Sequence, residues 1–518
     1  MISVSNEYKT AVYAQERAAK AKLIFKFVDI DADIDATPTV TSEASVSEKT
    51  QLFNNVRDTK YKYATLENDY WKLDGSFGLT PKPAETGYEI GWWSDLLSGV
   101  GGTYSTAQVL TISFSKDHSS IGTTITFDTI VNEYASDFTI VYKDSGGSTL
   151  HTATITGNTL TEYILAQNVS NFRSIVITIT KWKISNRRVR ILEIDFGIIE
   201  TYDGEKLINF DVLEELDTIS NTVTSNEIKF TIDNQNKAFN IINPDGLVPY
   251  LQRKQKIYPY IGITKADLVT EYVSMGIFYL KEWLSNEGTM TASFVARDIL
   301  DTLSDDTFAS TSYTSKTLKY IIDDIMTKAS ITDYTVDSAL TSVTTTGTLP
   351  ESTYREALQT VCIAGMAVIY VDRNGTIQIK QLSTTASIDT IDFDNIYASP
   401  AIKLDKLINT INVKYGASTY TLTDPDKVAG EQIVLVEINN PLVSTLTMAT
   451  NVAAWMLAEF KKRFIYDISW RQNPALECGD IVTIEDDFSE NKTARIIRQE
   501  FNFAGYLGGK TSAKGGGT

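Results

Sequence analysis

The chain has 518 residues, 42% of them hydrophobic, and a formal net charge of −18 with a pI near 4.7. A chain of this length folds into about three or four domains, and its acidic charge argues against a protein that grips nucleic acid through the phosphates. Its two cysteines cannot form a disulfide framework, and no cysteine/histidine cluster has metal-site spacing. We therefore expect no cofactor and no specific nucleic-acid binding. We also expect no membrane span, since no run of about 18 apolar residues occurs.

The N-terminal region begins with a predicted helix and strand. Apolar residues recur at helical intervals over residues 6–22, and a strand is predicted over residues 23–28. The next run, residues 29–35, alternates aspartate with other residues. A calcium loop of the EF-hand type needs glycine and glutamate where Ile34 and Val40 stand, so the run predicts a strand with one solvated acidic face.

A second region, residues 80–199, starts with a Pro/Thr/Gly-rich linker and continues as short strands separated by turns. This spacing predicts a β-sandwich. The aromatic residues Trp92, Trp93 and Tyr104 lie near the start of this region. The two tryptophans are adjacent, so in an extended segment at most one of them faces inward.

Three further side chains of this region are assigned to structure rather than to chemistry. Trp182 lies inside a predicted strand, where we expect it to fill the sandwich core. His118 and His151 are the only two histidines of the chain. As lone loop histidines they are expected at the surface rather than in a catalytic site.

The stretch at residues 225–264 organises the rest of the chain. It consists of two predicted strands bridged by a polar hairpin, which contains an Asn-Pro-Asp-Gly turn and a short basic segment. No residue type in the hairpin is typical of catalysis. We interpret the stretch as sheet with a loop presented between two strands.

Two amphipathic helices are predicted within residues 304–395. Apolar residues recur at positions i, i+3, i+4 and i+7 in both. The second stripe includes Cys362, which places this thiol in a core rather than in a catalytic site. Gly365 is expected to cap the C-terminus of the second helix, and a hairpin is predicted over residues 368–379.

The last region, residues 396–504, is predicted to contain a helix and a small barrel. Tight turns at residues 473–474 and 479–480 are predicted to precede strands of this barrel. An acidic run at residues 485–487 is expected to be solvated, because a general acid/base pair needs one carboxyl group in an apolar pocket. The Gly-rich end, residues 505–518, is expected to be flexible.

Several phrases of the sequence resemble known protein families. YATLENDYWKLDGSF, the order Asp-Asn-x-x-x-x-Phe followed by Pro-Tyr-Leu, and the order Asn-Pro-x-Leu-x-x-Gly-Asp resemble hub proteins at the tail tip of tailed bacteriophages, prophages and phage-like particles. LTISFSKDHSSIGTTITFD and EYASDFTIVYKDSGG resemble the galactose-binding-like jelly rolls that are inserted in phage tail and adsorption proteins.

The resemblance implies a mainly β fold with α+β parts, in which hub-type barrel-like domains carry an inserted jelly-roll β-sandwich. The implied domains are the N-terminal part of a hub domain (1–79), the inserted sandwich (80–199), the continuation of the hub barrel (200–303), an α+β hub domain (304–395), a C-terminal barrel-like domain (396–504) and a flexible tail (505–518).

The same resemblance implies a structural role at the virion tail tip or baseplate. Each of three subunits would supply two barrel-like domains, so that the trimer presents six of them to the hexameric tail tube. Distal tail or baseplate proteins would be its other partners, and a tape-measure protein would pass through the lumen. The sandwich would bind bacterial cell-wall polysaccharide through loop aromatics, because a flat apolar ring packs on pyranose C–H groups. The candidate carbohydrate-binding residues are Trp92, Trp93 and Tyr104. The candidate residues of the ring or tube interface are Asn243, Asp245, Tyr250, Arg253, Lys254 and Lys256.

Two other function classes are left open by the sequence. A receptor-binding or adsorption protein would act mainly through the sandwich, although the sustained heptads of a fibre stalk are absent from the sequence. A cell-wall hydrolase would need a zinc motif, a Ser/His/Asp set or a carboxylate pair. HExxH and GxSxG are absent from the sequence, and a carboxylate pair remains open. We favour the structural hub and expect no enzymatic activity.

Overall fold

The computed structural model describes residues 1–54, 62–79, 89–240, 242–243, 246–286, 288–382, 386–428, 430–485 and 492–515. Its α-helices are α1 Asn6–Val12, α2 Ile30–Asp35, α3 Ile299–Thr302, α4 Leu318–Lys328, α5 Tyr354–Gly365 and α6 Leu446–Lys461. Short 3₁₀ turns lie at Lys49–Phe53, Val100–Gly102, Gly204–Lys206, Val248–Tyr250, Ser338–Thr341 and Phe393–Asn395.

The strands of the first 200 residues are β1 Ala19–Val28, β2 Thr37–Val40, β3 Lys62–Tyr63, β4 Phe77–Gly78, β5 Trp92–Trp93, β6 Thr103–Thr126, β7 Ala135–Lys143, β8 Thr149–Ile155, β9 Glu162–Trp182, β10 Arg190–Ile191, β11 Glu193–Asp195 and β12 Gly197–Asp203.

Those of residues 207–391 are β13 Leu207–Glu215, β14 Glu227–Asp233, β15 Lys256–Thr264, β16 Thr270–Ser274, β17 Phe278–Asn286, β18 Thr291–Arg297, β19 Thr307–Phe308, β20 Thr311–Thr317, β21 Tyr334–Val336, β22 Thr344–Leu349, β23 Ser352–Thr353, β24 Val368–Val371, β25 Ile377–Lys380 and β26 Asp389–Ile391. The C-terminal ones are β27 Ala401–Leu404, β28 Thr410–Tyr415, β29 Ser418–Thr423, β30 Leu435–Ile438, β31 Phe464–Trp470, β32 Ile481–Ile484, β33 Lys492–Phe503 and β34 Leu507–Gly515.

The chain forms two compact units, and the predicted mainly β, multidomain fold class is confirmed. The first unit contains residues 1–24, 201–237 and 256–518, and the second, called the sandwich unit below, contains residues 25–200 and 238–255. In this division residues 25–79 belong with the sandwich, whereas the sequence analysis assigned them to a hub domain. The finer domain limits stay a prediction.

A large antiparallel sheet is the frame of the first unit. Its strand order there is β15-β17-β18-β14-β13-β33-β34-β31-β27. Alternation in β14 buries Ile228, Phe230 and Ile232, and the rings of Phe230 and Phe294 stack at 4.9 Å across the β14–β18 pair. Within the described residues the order ends at the edge strand β27 and does not close, so the expected barrel-like domains take the form of an open sheet.

Helices α4, α5 and α6 enclose the other core of the first unit. Both predicted stripes are buried there, including Cys362, whose pKa is raised to about 12 by burial. The predicted cap at Gly365 is wrong by one residue. Met366 takes the left-handed conformation at φ 54°, and its N–H donates to the last turn of α5. Gly365 is instead helical, and a Cβ there would lie 3.1 Å from Leu318 and Leu340.

The predicted flexible tail is also wrong. Residues 507–515 form β34, which pairs with β31 on one side and β33 on the other. Alternate side chains of this strand are buried, and Thr511 accepts a hydrogen bond from the Trp470 indole at 2.9 Å. The glycines therefore lie in a strand between two neighbours. Residues 516–518 lie outside the described part of the chain.

The sandwich unit is built on two long strands, β6 and β9. The strand order is β11-β6-β9-β7-β8, with β2 paired to β6. Register shifts interrupt the β6–β9 ladder between Ser113 and Gly122, and such bulges bend a strand and let it serve both layers of a sandwich. Trp182 is fully buried in this core, as predicted, with Phe127 edge-on at 5.8 Å.

Residues 30–35 form helix α2, so the predicted acidic strand is wrong. The Asp29 carboxylate caps the helix by accepting hydrogen bonds from the N–H groups of Asp31 and Ala32. Ala32 is buried, whereas Asp31 is exposed. Capping by an aspartate can start a helix in a run that also alternates like a strand, and the sequence analysis did not weigh it.

Candidate functional site

The structure buries all three aromatic residues predicted to bind carbohydrate. Trp92 is 0%, Trp93 5% and Tyr104 8% exposed. The two tryptophans form β5 and point to opposite faces, but Trp92 packs into the sandwich core and Trp93 into a second small cluster with Tyr63 and Ile90. The expectation that one indole faces solvent is therefore wrong, because both faces of β5 are covered.

Polar contacts fix these aromatic side chains in place. The Trp92 indole N–H donates to the carbonyl of Ser42 at 2.9 Å. The Tyr104 hydroxyl donates to the carbonyl of Arg187 at 3.1 Å, and burial raises the pKa of this phenol, which keeps it a neutral donor. A freely accessible stacking platform is therefore not formed by Trp92, Trp93 or Tyr104 in this conformation.

A buried guanidinium lies beside Trp93. Arg190 stands opposite Trp93 in the β5–β10 pair, and its guanidinium carbon lies 3.9 Å from the Tyr70 ring centre and 4.4 Å from that of Trp93. It forms an ion pair with Glu67, and its Nε lies 3.7 Å from the Asp128 carboxylate. The Tyr70 hydroxyl donates to Asp128 at 2.8 Å. This set holds a charge between two aromatic rings.

A second buried ion pair supports the first. Arg187 donates from Nε to both carboxylate oxygens of Glu133, at 2.9 and 3.0 Å. The Trp182 indole N–H donates to the same carboxylate at 3.1 Å. The end of β9 and the segments that precede β7 and β10 are thus joined by hydrogen bonds to one carboxylate.

Beside Arg190 there is a small cavity in which some polar atoms have no hydrogen-bond partner. Its volume is about 30 Å³, and its walls include Tyr63, Tyr70, Glu89, Trp93, Asp128 and Arg190. Glu89 is 8% and Arg190 2% exposed. The Glu89 Oε2 atom and the Arg190 Nε and Nη1 atoms are buried and have no hydrogen-bond partner. Buried polar groups are otherwise almost always paired, so this cavity is the candidate functional site.

Of the walls of this cavity, only Trp93 was predicted from the sequence as a site residue. Trp93 was a candidate, and Glu89 stands four residues before it in the run Glu-Ile-Gly-Trp-Trp. Arg190 is 97 residues further along the chain and comes beside Trp93 only through the β5–β10 pairing, in which Arg190 lies opposite Trp93. An acidic residue close to paired tryptophans was a signal that the sequence offered, whereas the position of Arg190 required the fold.

His118 is buried, so its predicted surface position is wrong. Its Nδ1 lies 2.9 Å from the Asp29 carboxylate and its Nε2 3.0 Å from that of Asp35. Both ring nitrogens can donate to these oxygens only in the imidazolium form. The Ser115 and His118 side chains hold the pKa of Asp35 well below its usual range. His118 thus ties both ends of helix α2 to strand β6.

The predicted interface residues differ in their exposure. Arg253 and Lys254 are exposed, and Asn243, Tyr250 and Lys256 are half-buried. Asp245 lies outside the described residues. The buried Gln255 donates to the carbonyls of Tyr250 and Val28, at 2.8 and 3.1 Å, which fixes the end of this hairpin. A role of these side chains at an interface stays a prediction.

Among the described residues no cluster of histidine, cysteine, aspartate and glutamate has the arrangement of a metal site. In the same part of the chain no helix is long and apolar enough to cross a membrane.

No protein-family model matches this chain, and no curated protein matches it in sequence. Solved structures do match. One match is a tail protein from Neisseria meningitidis MC58. The alignment includes 60% of this chain and 93% of the tail protein, at 11% identity and a TM-score of 0.44.

Two more solved structures match different shares of the chain. The 43 kDa tail protein of prophage MuSo2 from Shewanella oneidensis covers 61% of this chain and 94% of its own, at 15% identity and a TM-score of 0.41. A chitosan-binding module of a chitosanase/glucanase from Paenibacillus sp. IK-5 covers 32% of this chain and 96% of its own, at 13% identity and a TM-score of 0.21.

Proposed function

We propose that this protein is a structural hub of a phage or phage-like tail, located at the tail tip or baseplate. One observation carries the proposal. Of the segments whose phrasing resembles hub proteins, those around residues 227–264 and 473–503 are far apart in sequence, yet their strands β14, β15 and β33 belong to one unit and one continuous sheet, whereas residues 63–77 and 238–255 belong to the sandwich unit. The jelly-roll-like segment folds in the other unit. This is the arrangement expected of a hub interrupted by an inserted module.

The hub acts as a homotrimer that adapts the hexameric tail tube to the tip. Its partners are the tube, distal tail or baseplate proteins and a tape-measure protein in the lumen. The exposed basic pair Arg253 and Lys254, with Asn243, Tyr250 and Lys256 nearby in sequence, supplies candidate contacts to the ring or tube. The role is structural and needs no catalytic group.

Oligomeric state and assembly test this proposal together. Light scattering on the purified chain should give three copies, and particles carrying the Arg253→Glu/Lys254→Glu variant should assemble at reduced yield. Lys414→Glu, which changes an exposed lysine on β28, is the matched control and should assemble normally. A chain that is monomeric at all concentrations and absent from the tail tip of particles contradicts the proposal.

A second candidate function is receptor binding through the sandwich unit. The observation that favours it is the cavity beside Arg190, where buried polar atoms have no partner. In this alternative the sandwich carries the main activity, and the first unit only attaches it to the tail. Both functions leave tail assembly intact when residues 80–199 are deleted. In this alternative the deletion abolishes adsorption and Arg253→Glu/Lys254→Glu leaves assembly unchanged, whereas the hub proposal expects the double variant to reduce assembly.

A further inference from the structure

The cavity beside Arg190 is lined by a carboxylate and by a guanidinium that both have unused hydrogen-bonding atoms. The acceptor is Glu89 Oε2, and the donors are Nε and Nη1 of Arg190. Both side chains are more than nine-tenths buried. Glu67 pairs with Nη2 of the guanidinium, and Nε lies 3.7 Å from the Asp128 carboxylate, beyond hydrogen-bond distance, so Nε and Nη1 are left without a hydrogen-bond partner.

The signs of these charges restrict what can occupy the cavity. Two carboxylates, those of Glu89 and Asp128, line it and disfavour an anion. An ammonium group pairs well with Glu89 but offers no acceptor to Arg190 and is repelled by it. A hydroxyl group satisfies both, because it donates one hydrogen and accepts through its lone pairs.

The size and the walls restrict the ligand further. A volume of about 30 Å³ admits one small group rather than a whole ring. The aromatic rings of Tyr63, Tyr70 and Trp93 offer apolar contact to C–H groups that carry a hydroxyl. Thr129, which is exposed, and the half-buried Ile130 line the cavity on the side toward solvent.

We propose that this cavity binds a hydroxyl-bearing group of a neutral saccharide, which donates to Glu89 and accepts from Arg190, while the rest of the sugar lies outside near Thr129. The proposal rests on the proposed role of the sandwich as a carbohydrate-binding module and assigns its site. Trp93 contributes a wall of the cavity and not an exposed platform. Water is the competing occupant, since it also donates and accepts.

Binding is measured on the full chain with monosaccharides as probes. Isothermal titration and saturation-transfer NMR compare neutral glucose, galactose and N-acetylglucosamine with cationic glucosamine and anionic glucuronate. At least one neutral sugar should bind, and the charged sugars should bind at least tenfold more weakly. If none of the neutral sugars binds, or if glucosamine binds best, the proposal is overturned, and water is the occupant in the first case.

Two variants locate the binding site. Glu89→Leu removes the unpaired acceptor and should reduce binding at least tenfold. Thr129→Trp leaves the ion pairs intact but places a large side chain at the entrance of the cavity, and it should also reduce binding at least tenfold. This second variant keeps the test decisive if Glu89→Leu fails to fold. Asp95→Asn, at a side chain that is 74% exposed, is the control and should bind like the wild type. Wild-type affinity in a folded Glu89→Leu or Thr129→Trp variant overturns the assignment.

The outcome can be separated from that of the proposed function. A trimer found at the tail tip that binds no neutral sugar overturns only the assignment of this site. A sugar-binding chain that is absent from tail tips overturns the hub proposal and leaves the site standing.

Discussion

Substitution of Arg373 should strongly destabilise the first unit. Its guanidinium is buried and donates to both carboxylate oxygens of Glu214, at 2.7 and 3.0 Å. It also donates to the carbonyl of Leu476 at 2.7 Å and to that of Pro474. One side chain therefore joins strand β13, the β24–β25 turn and the segment before β32, three parts of the chain that are distant in sequence.

The magnitude follows from what Arg373→Met leaves behind. Glu214 keeps only the Gln499 side-chain amide, at 3.3 Å, and remains buried at 4% exposure. Removing one partner of a buried ion pair costs about 3–5 kcal/mol, because the other charge stays in the protein without compensation. We expect the free energy of unfolding of the first unit to fall by this amount.

Urea unfolding of the full chain, followed by circular dichroism and tryptophan fluorescence, measures the effect. The two units can unfold separately, so each transition is fitted on its own. Arg373→Met/Glu214→Leu should recover more than half of the loss, since an apolar pair often replaces a buried ion pair at little cost. Lys319→Met, which breaks the exposed pair with Asp323 on α4, is the control and should cost about 0.5 kcal/mol or less.

A loss below about 1 kcal/mol for Arg373→Met, comparable to that of an exposed pair, would refute the reasoning. It would mean that Arg373 does not hold the three segments together. A loss confined to the transition of the sandwich unit would refute it as well.

Three further results are expected. Glu89→Leu should raise the free energy of unfolding of the sandwich unit by about 1–3 kcal/mol in urea titrations, because it removes a buried oxygen without a partner; a loss of stability would contradict this. Cys362 is fully buried and burial raises its pKa to about 12, so a thiol reagent at pH 8 should modify this thiol only after the chain is unfolded. Burial raises the pKa of Asp298 to about 6 from 3.8, so its protonated form stabilises the fold below pH 4 and about 3 kcal/mol is lost as the pH rises through 6. Asp298→Asn should remove this pH dependence in unfolding titrations, and an unchanged slope would refute the assignment.

Elements with strong local periodicity could be predicted from the sequence. The stripes of α4 and α5, the alternation of β14 and the hairpin of β24 and β25 all lie where the pattern placed them. Trp182 and Cys362 are buried as expected. In each case the apolar residues that define the pattern are also the residues that pack, so local and tertiary preferences agree.

Other features depended on partners that are distant in sequence. Trp92 and Trp93 are both buried because separate clusters cover the two faces of β5, which no local alternation reveals. His118 lies among polar neighbours in sequence, yet it pairs with two aspartates more than 80 residues away. The Gly-rich residues 507–515 become a strand because β31 and β33 supply hydrogen bonds on both sides.

The candidate cavity shows the same limit. Glu89 and Trp93 are close in sequence, but the donor atoms come from Arg190, and the pairing of β10 with β5 brings them together. The sequence therefore pointed to one wall of the site, and the fold was required to find the polar atoms, while the class of ligand stays a prediction.

The central claim is that the protein forms the hub of a tail, and its position and symmetry in an assembled particle test this most directly. Electron microscopy of particles, with the chain identified by a label on its sandwich unit, measures both. We predict a ring of three copies at the tail tip, in contact with the end of the tail tube. Particles in which the labelled chain is absent from the tip ring, or is found only on peripheral fibres, would contradict the claim.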